Sequence, residues 1–479
     1  MSKLNFLLFV AYASIWTSSF ADVRLPKILG SHMVLQRNAV ANIWGWADPG
    51  EDILLKADWI NVEFRTTANS RGEWAIPLAT IYAGEPHNLT ITGKNTLHLK
   101  DILFGEVWIG SGQSNMEMPL IKVSNAYTGI QDSEKEIAAA NYPEIRLFQT
   151  GNYSSKEPLD DVETGIVTYG VPEAKCAWQV CSPETIPTFS STAYFFAREL
   201  YSNLNVPIGI IDSSWGGTSA ESWTPKGGLE KLGMEKELTQ AVDLPQQADK
   251  KIPTRLYNGM IHPLKHFRIR GVIWYQGEGN SSRADQYSQL FSTMISEWRK
   301  EFEYDFPFYF AQIAPYGRYK QNSAYLREAQ LQTLSLASTG MAVTMDIGNL
   351  TDIHPKNKQE IGRRLALLAL ANEYGFDTGF SGPILSRTIT RPKKIYLCFD
   401  HVTRGLTTND GLDPSHFEIA GKDRIFHSAT ATIKGNQIIV SSKKVPKPKA
   451  VRYAFSNDAQ PNLINKEGLP ASSFRTDQW

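Results

Sequence analysis

Two rhythms of apolar and polar positions divide the chain. From Asp22 to about Lys100, short runs alternate between the two kinds and are broken by Gly, Pro and Asn. Examples are Val40-Ala41-Asn42-Ile43-Trp44-Gly45-Trp46, Asp52-Ile53-Leu54-Leu55 and Leu89-Thr90-Ile91-Thr92. A period of two with regular turn signals predicts half-buried strands, and their spacing predicts a β-sandwich over 22–100. After Gly105 the apolar runs become short and continuous, at 107–110, 208–212, 272–275, 308–313 and 342–346. Runs of that kind suit parallel strands covered on both faces. Between them the period lengthens to that of amphipathic helices, over 193–204, 287–302 and 358–374. Leu290, Phe291, Met294, Ile295 and Trp298 mark the stripe of the second, and Ile361, Leu365, Leu368 and Leu370 that of the third. Strand alternating with helix predicts a doubly wound α/β domain over 101–378. Within it, 121–190 is rich in polar residues, Gly and Pro, and reads as an excursion that could cover a site. Strand-like pieces return at 394–399, 429–433 and 437–441, which predicts a β-rich C-terminal region over 379–479.

Composition narrows the function more than the fold. Lys+Arg and Asp+Glu both number 49, so the formal charge is zero and no basic face marks a general nucleic-acid binder. At the N-terminus, Lys3 precedes the apolar core Leu7-Leu8-Phe9-Val10-Ala11, and Ser19-Phe20-Ala21 offers small residues where a signal peptidase reads. The pattern predicts a signal peptide over 1–21, cleavage after Ala21, and a secreted or periplasmic mature chain. That apolar stretch is too short for stable membrane insertion, and no later segment is a better span. The three cysteines are no disulfide framework, although Cys176 and Cys181 form a local candidate pair. No Cys/His spacing suggests zinc, and no metal site is expected.

Candidate chemistry gathers at the strand ends, where open α/β sheets place their ligands. Gly112-Gln113-Ser114-Asn115-Met116 follows the first continuous run, so Ser114 is held between a strand and a small-residue turn. A serine there presents its hydroxyl and its backbone N–H, as an esterase nucleophile requires. Ser213-Ser214-Trp215-Gly216-Gly217-Thr218 follows the 208–212 run, and its paired glycines let N–H groups approach an oxyanion. Trp274-Tyr275-Gln276-Gly277-Glu278-Gly279-Asn280 adds an amide and a carboxylate. Thr351-Asp352-Ile353-His354-Pro355 supplies a histidine beside an acid, the usual general base for serine. Asp346 also follows a predicted strand end.

In this order the four motifs resemble those of the SGNH-hydrolase-type carbohydrate acetylesterases, specifically the sialate O-acetylesterase family. Leu35-Gln36-Arg37, Leu256-Tyr257-Asn258-Gly259-Met260-Ile261-His262-Pro263 and Asn465-Lys466-Glu467-Gly468-Leu469-Pro470-Ala471-Ser472 extend the resemblance over nearly the whole mature chain. It implies an α/β/α SGNH-like domain flanked by β-rich regions, and a serine esterase without metal or organic cofactor. Ser114 would be the nucleophile and His354 the base. The Ser114 and Gly217 N–H groups and the Gln276 side chain would form the oxyanion hole. The wider pattern places an aspartate three residues before the histidine, whereas Asp352 stands two before His354. Asp352 is the preferred orienting acid, and Glu278, after the Gln-Gly pair, is its rival. Trp215, Trp274, Asn258 and Arg255 are the candidate substrate contacts, Arg255 as a forked partner for a sialate carboxylate. The implied substrate is an O-acetylated sugar, first among them 9-O-acetylated sialic acid. The alternatives are an acetylesterase of xyloglucan or xylan, and a secreted sugar-binding protein without catalysis.

Overall fold

The computed structural model describes residues 22–166, 170, 173–242 and 249–479. The expected leader, 1–21, lies outside the described residues. The alternating segments form β1 (Val34–Gln36), β2 (Val40–Trp46), β3 (Asp52–Ala57), β4 (Glu63–Thr67), β5 (Glu73–Ala79) and β6 (His87–Thr92). β2 and β5 make an antiparallel ribbon, and β3 lies between β4 and β6. Alternation sends Ala41, Ile43, Trp74, Ile76 and Leu78 into the core. Next comes β7 (Thr96–Gly112), which pairs antiparallel with β6 at its start and then enters a parallel sheet. The boundary drawn at 100/101 therefore falls inside one continuous strand.

The chain continues through α1 (Ser114–Glu117), α2 (Ser133–Ala138), β8 (Tyr142–Gln149), β9 (Gln179–Cys181), α3 (Ser191–Leu204) and β10 (Ile208–Ser214). It goes on to α4 (Lys226–Lys231), α5 (Glu235–Val242), β11 (Gly271–Tyr275), α6 (Ala284–Phe302), β12 (Phe308–Ala311), α7 (Ala324–Gln332), β13 (Thr339–Ala342) and α8 (Lys358–Glu373). The central sheet runs β13-β12-β11-β7-β10-β8-β9, parallel except for β9. Side chains along each strand alternate between two apolar layers. Val272, Trp274, Phe308 and Phe310 join Phe291 and Trp298 of α6, while Ile273, Tyr275 and Tyr309 join Phe196 of α3 and Leu365 of α8. Helices on both faces explain why these strands read as continuous apolar runs.

Three expectations change. The 121–190 excursion contributes β8 and β9 to the sheet. Glu144 and Arg146 interrupt the apolar pattern of β8, yet Arg146 is buried there on two bonds to Asp101 of 2.7 and 3.1 Å. The run at 342–346 is mostly past its strand, because β13 ends at Ala342 and the buried Val343 and Met345 extend the apolar pattern without ladder pairing. Asp346 is held by two Arg364 bonds of 2.7 and 2.6 Å, which makes it structural. Cys176 and Cys181 are free thiols. They lie in different apolar layers, the first against the Glu163 carbonyl and the second toward that of Ala140.

The C-terminal region holds two four-stranded antiparallel sheets. One contains Ile384–Arg391, Lys394–Asp400, Gln437–Ser441 and Thr430–Lys434; the other contains Phe426–Ser428, Phe417–Ala420, Ala450–Tyr453 and Phe474–Arg475. Arg327 of α7 ties this region to the α/β layer. It donates to Ser473 Oγ at 3.0 Å and to the Ser456 carbonyl at 2.7 Å.

Candidate active site

The site begins with a close approach of backbones. Gly112 ends β7 at a φ of 136°, and a Cβ there would stand 2.2 Å from the Tyr275 carbonyl. Only glycine allows β7 and β11 to run together to that point. The Gln113 N–H then donates to the same carbonyl at 2.9 Å, and α1 starts on Ser114. From β7 the chain supplies β8 and β10 on one side and β11 to β13 on the other, so Ser114 sits where the strand order reverses. Crevices at such points are the usual ligand sites of open α/β sheets. A pocket of about 300 Å³ opens here, lined by Ser114, Tyr127, Gly217, Glu278 and His354 among others. Tyr127 comes from the excursion after α1, which thus forms one wall.

Two of the lining residues carry open backbone donors. Neither the Ser114 nor the Gly217 N–H has a partner among the described residues. The turn carrying Gly217 is fixed from behind, because the Gly216 N–H donates to Glu117 Oε2 at 2.7 Å. A Cβ on Gly216 would stand 2.4 Å from the Tyr127 hydroxyl, so glycine is needed there too. Tyr127 also donates to Glu117 Oε2, at 2.5 Å, and Asn152 Nδ2 donates to Oε1 at 2.8 Å. The Tyr127 ring in turn meets His354 edge-on at 5.5 Å. One carboxylate therefore joins the helix of Ser114, the glycine turn and the wall beside the histidine. Burial pushes the Glu117 carboxyl up, and its three donors oppose that shift. Asp212, one strand away and also buried, is pushed well above its usual range by burial, with the Glu117 charge adding to the effect. The sequence reading missed Glu117; its signal was a charged residue inside the apolar stretch Met116-Glu117-Met118.

His354 Nδ1 lies 3.5 Å from Asp352 Oδ1, and that same oxygen accepts the His354 N–H at 3.0 Å. Burial first, and then the Lys358 charge, push the imidazole down to about 4, with Asp352 opposing. The ring is thus neutral near pH 7, the form a general base needs. Among the described residues no hydrogen bond joins Ser114 Oγ to His354, although both open onto one pocket. Substrate-free sites commonly hold such pairs apart.

Glu278 is engaged elsewhere. Its Oε1 accepts from Asn115 Nδ2 at 2.6 Å, and Asn115 Oδ1 accepts from Lys358 Nζ at 2.5 Å. Among the described residues Glu278 Oε2 is buried without a partner. Burial raises the Glu278 carboxyl and lowers the Lys358 amine to about 7, with the Glu278 and Asp352 charges opposing the latter shift. Asn115 Nδ2 also donates to the Ile353 carbonyl at 3.1 Å, which ties the serine turn to the histidine loop.

Other expected contacts are displaced. Gln276 is fully buried, and its amide donates to Asn280 Oδ1 at 2.7 Å and to the Thr218 carbonyl at 3.3 Å, while its Oε1 accepts from Tyr287. With both amide hydrogens committed, Gln276 does not present a donor to the pocket. Trp274 lies in the core among Trp223, Phe291 and Trp298, because the alternation along β11 turns it into the α6 layer. Asn258 is buried and donates to the Lys156 carbonyl at 2.7 Å, pinning the loop that crosses it. Arg255 is buried as well, and its carbonyl accepts from Ser155 N–H. Neither lines the pocket. Trp215 backs the glycine turn, with Lys250 Nζ 5.6 Å from its ring centre. Among the described residues no cluster of three or more His, Cys, Asp or Glu side chains could hold a metal ion.

Known proteins share this architecture. The family model described as carbohydrate esterase, sialic acid-specific acetylesterase, matches residues 105–371. The sialate O-acetylesterase of Mus musculus is 30% identical over 477 residues, covering 86% of this chain and 84% of its own. That of Homo sapiens is 29% identical over 421 residues, covering 80% and 76%. The crystal structure of a novel carbohydrate acetylesterase from Xanthomonas citri superposes with a TM-score of 0.85 at 37% identity, covering 96% of this chain and all of that one.

Proposed function

The chain belongs to the sialic acid-specific acetylesterase family of carbohydrate esterases and is a carboxylic ester hydrolase, and we propose that it is a serine O-acetylesterase of acetylated sugars, foremost 9-O-acetylated sialic acids. The observation that carries this reading is the pocket at the β7 switch point, lined by Ser114 and Gly217, whose backbone N–H groups have no partner among the described residues, and by a neutral His354. His354 takes the Ser114 proton, and Oγ attacks the acetyl carbonyl to give a tetrahedral oxyanion. The Ser114 and Gly217 N–H groups receive that oxyanion. Collapse expels the sugar alcohol, which takes the proton from His354. Water, activated by the same base, then releases acetate from the acetyl-serine. The 3.5 Å approach of Asp352 to Nδ1 supports it as the orienting acid, since Glu278 is bound to Asn115. The order of β10, β7, β11, β12 and β13 supports an SGNH type of hydrolase fold. Export rests on the leader pattern of 1–21 alone.

The Xanthomonas citri relative is described as a carbohydrate acetylesterase with no sugar named, and the same serine chemistry would serve a second reading, the acetyl ester of a plant hemicellulose. The test is acetate release from 9-O-acetylated sialic acid, acetyl-xylan and acetyl-xyloglucan, with Ser114→Ala as the blank. The sialate ester should be cleaved preferentially. Preference for a plant polymer would overturn the sialate assignment and leave the serine chemistry standing, whereas a blank panel would overturn both.

A further inference from the structure

The β2–β5 ribbon carries a groove that ester cleavage does not use. While Ala41 and Ile43 point into the core, Asn42, Trp44 and Trp46 share the opposite face, with Trp44 across from Ala75 and Trp46 across from Glu73. The solvent side of an antiparallel pair is normally polar. Two tryptophans there are unusual: Trp44 is 8% exposed and Trp46 is half-buried. His266 meets Trp44 edge-on at 5.8 Å, and the Arg24 guanidinium lies 4.4 Å over the Trp46 ring. These contacts fix the rings without filling the space. A cavity of about 610 Å³ separates the ribbon from Asp160 and from the 262–266 segment, about twice the volume at Ser114 and sharing no lining residue with it.

The lining has the chemistry of a sugar site. A pyranose presents an apolar C–H face and a rim of hydroxyls, which suit an indole surface bordered by planar donors and acceptors. Asn42 supplies an amide, and beside it Asn69 and Arg71 both donate to Glu73, at 2.9 and 2.8 Å. Asp160 and Lys265 add one charge of each sign, so the four charged lining residues balance and Arg24 over Trp46 leaves one net positive charge, too small a field to select a polyanion. Ala75 is exposed and keeps the floor beside Trp44 low. We propose that this groove binds neutral pyranose units of a glycan, independently of the ester-cleaving pocket.

The test uses the full-length Ser114→Ala protein and unacetylated probes, N-acetyllactosamine and a xylo-oligosaccharide, with polysialic acid as the anionic control. Calorimetric binding of a neutral probe is expected. In that background, Ala75→Arg fills the groove from an exposed position and Trp46→Ala removes the platform, and each should weaken binding about tenfold or more. Both substitutions in the Ser114 protein should leave turnover of a small chromogenic acetate ester unchanged, which separates groove loss from misfolding. Absence of binding by either neutral probe, binding that survives both substitutions, or preference for polysialic acid would each overturn the proposal. A blank acetate-release panel with neutral-glycan binding retained would overturn the ester reading and leave the groove standing.

Discussion

Lys358 beside the pocket and Arg327 beneath the C-terminal sheets are both cations without exposed surface, and the fold treats them differently. Arg327 spreads its guanidinium over neutral acceptors: Ser473 Oγ, Ser323 Oγ and the Ser456 and Ala454 carbonyls. Burial lowers it only to about 10, so it stays charged and acts as a fixed tie. Lys358 donates to Asn115 Oδ1, its one side-chain bond among the described residues, and burial brings it to about 7. Its neighbour Glu278 keeps a buried oxygen without a partner among the described residues. A buried polar network rigidifies a fold when every member is satisfied, and it stores strain when one is not. The satisfied network joins two regions of the chain, and the incomplete one borders the proposed chemistry.

The largest break in that contrast comes from Ser114→Ala. If the pocket serves turnover alone, acetate release should fall at least about 10⁴-fold while the melting temperature stays within a degree or two. A comparable loss of melting temperature would show that the two networks are not separable. Glu117 tests the contrast from inside the site. Glu117→Ala frees the Gly216 N–H and the Tyr127 hydroxyl together, so the Gly217 donor loses its support. The expected loss in kcat is about a hundredfold, near the effect of one missing oxyanion donor, with KM little changed. Glu117→Gln keeps an acceptor for those donors and should recover most of the rate. Equal rates for the two variants would remove Glu117 from this role.

These outcomes bear on what a chain discloses before it folds. That Ser114, Gly217 and His354 line one pocket was legible because each lies in a local motif at the end of a readable strand or beside the start of a readable helix. Glu117 and Lys358 were not, since their importance comes from partners such as Gly216 and Asn115, which are 99 and 243 residues away. Gln276 misled because a motif names a residue without its rotamer, and here Thr218 and Asn280 draw the amide inward. Trp274 misled because aromatic character suits core and sugar alike, and only the parity of β11 decides. β8 stayed hidden because Arg146, a charged residue in a buried strand, is matched by Asp101 of β7, 45 residues away.

At the other pole of the comparison, Arg327→Leu should cost about 3 kcal/mol of stability, because the serine hydroxyls and carbonyls it satisfies become buried and unpaired. Chemical denaturation of the full chain measures it. The acetate-release rate of the folded fraction should be unchanged. A lowered kcat with unaltered stability would reverse the division between tie and site.

The smallest effect, Lys358→Met, asks whether the incomplete network tunes the base. Lys358 is the second cause, after burial, that holds His354 near 4, so removing its charge raises the imidazole pKa. A base works in its neutral form, and the acid limb of kcat/KM should move up by about one pH unit. Stability gives an independent check on sign. The Lys358 amine is at about 7 when folded and about 10.4 when unfolded, so the unfolded chain binds more protons between those values. The native protein should therefore gain stability as pH rises from 7 toward 10, and Lys358→Met should lose that gain. His354, at about 4 when folded and about 6.5 unfolded, likewise makes stability fall as pH drops from 6.5 to 4. That fall should narrow in the variant as the folded value climbs. An unmoved acid limb together with an unchanged stability profile would mean that Lys358 is as inert a structural cation as Arg327.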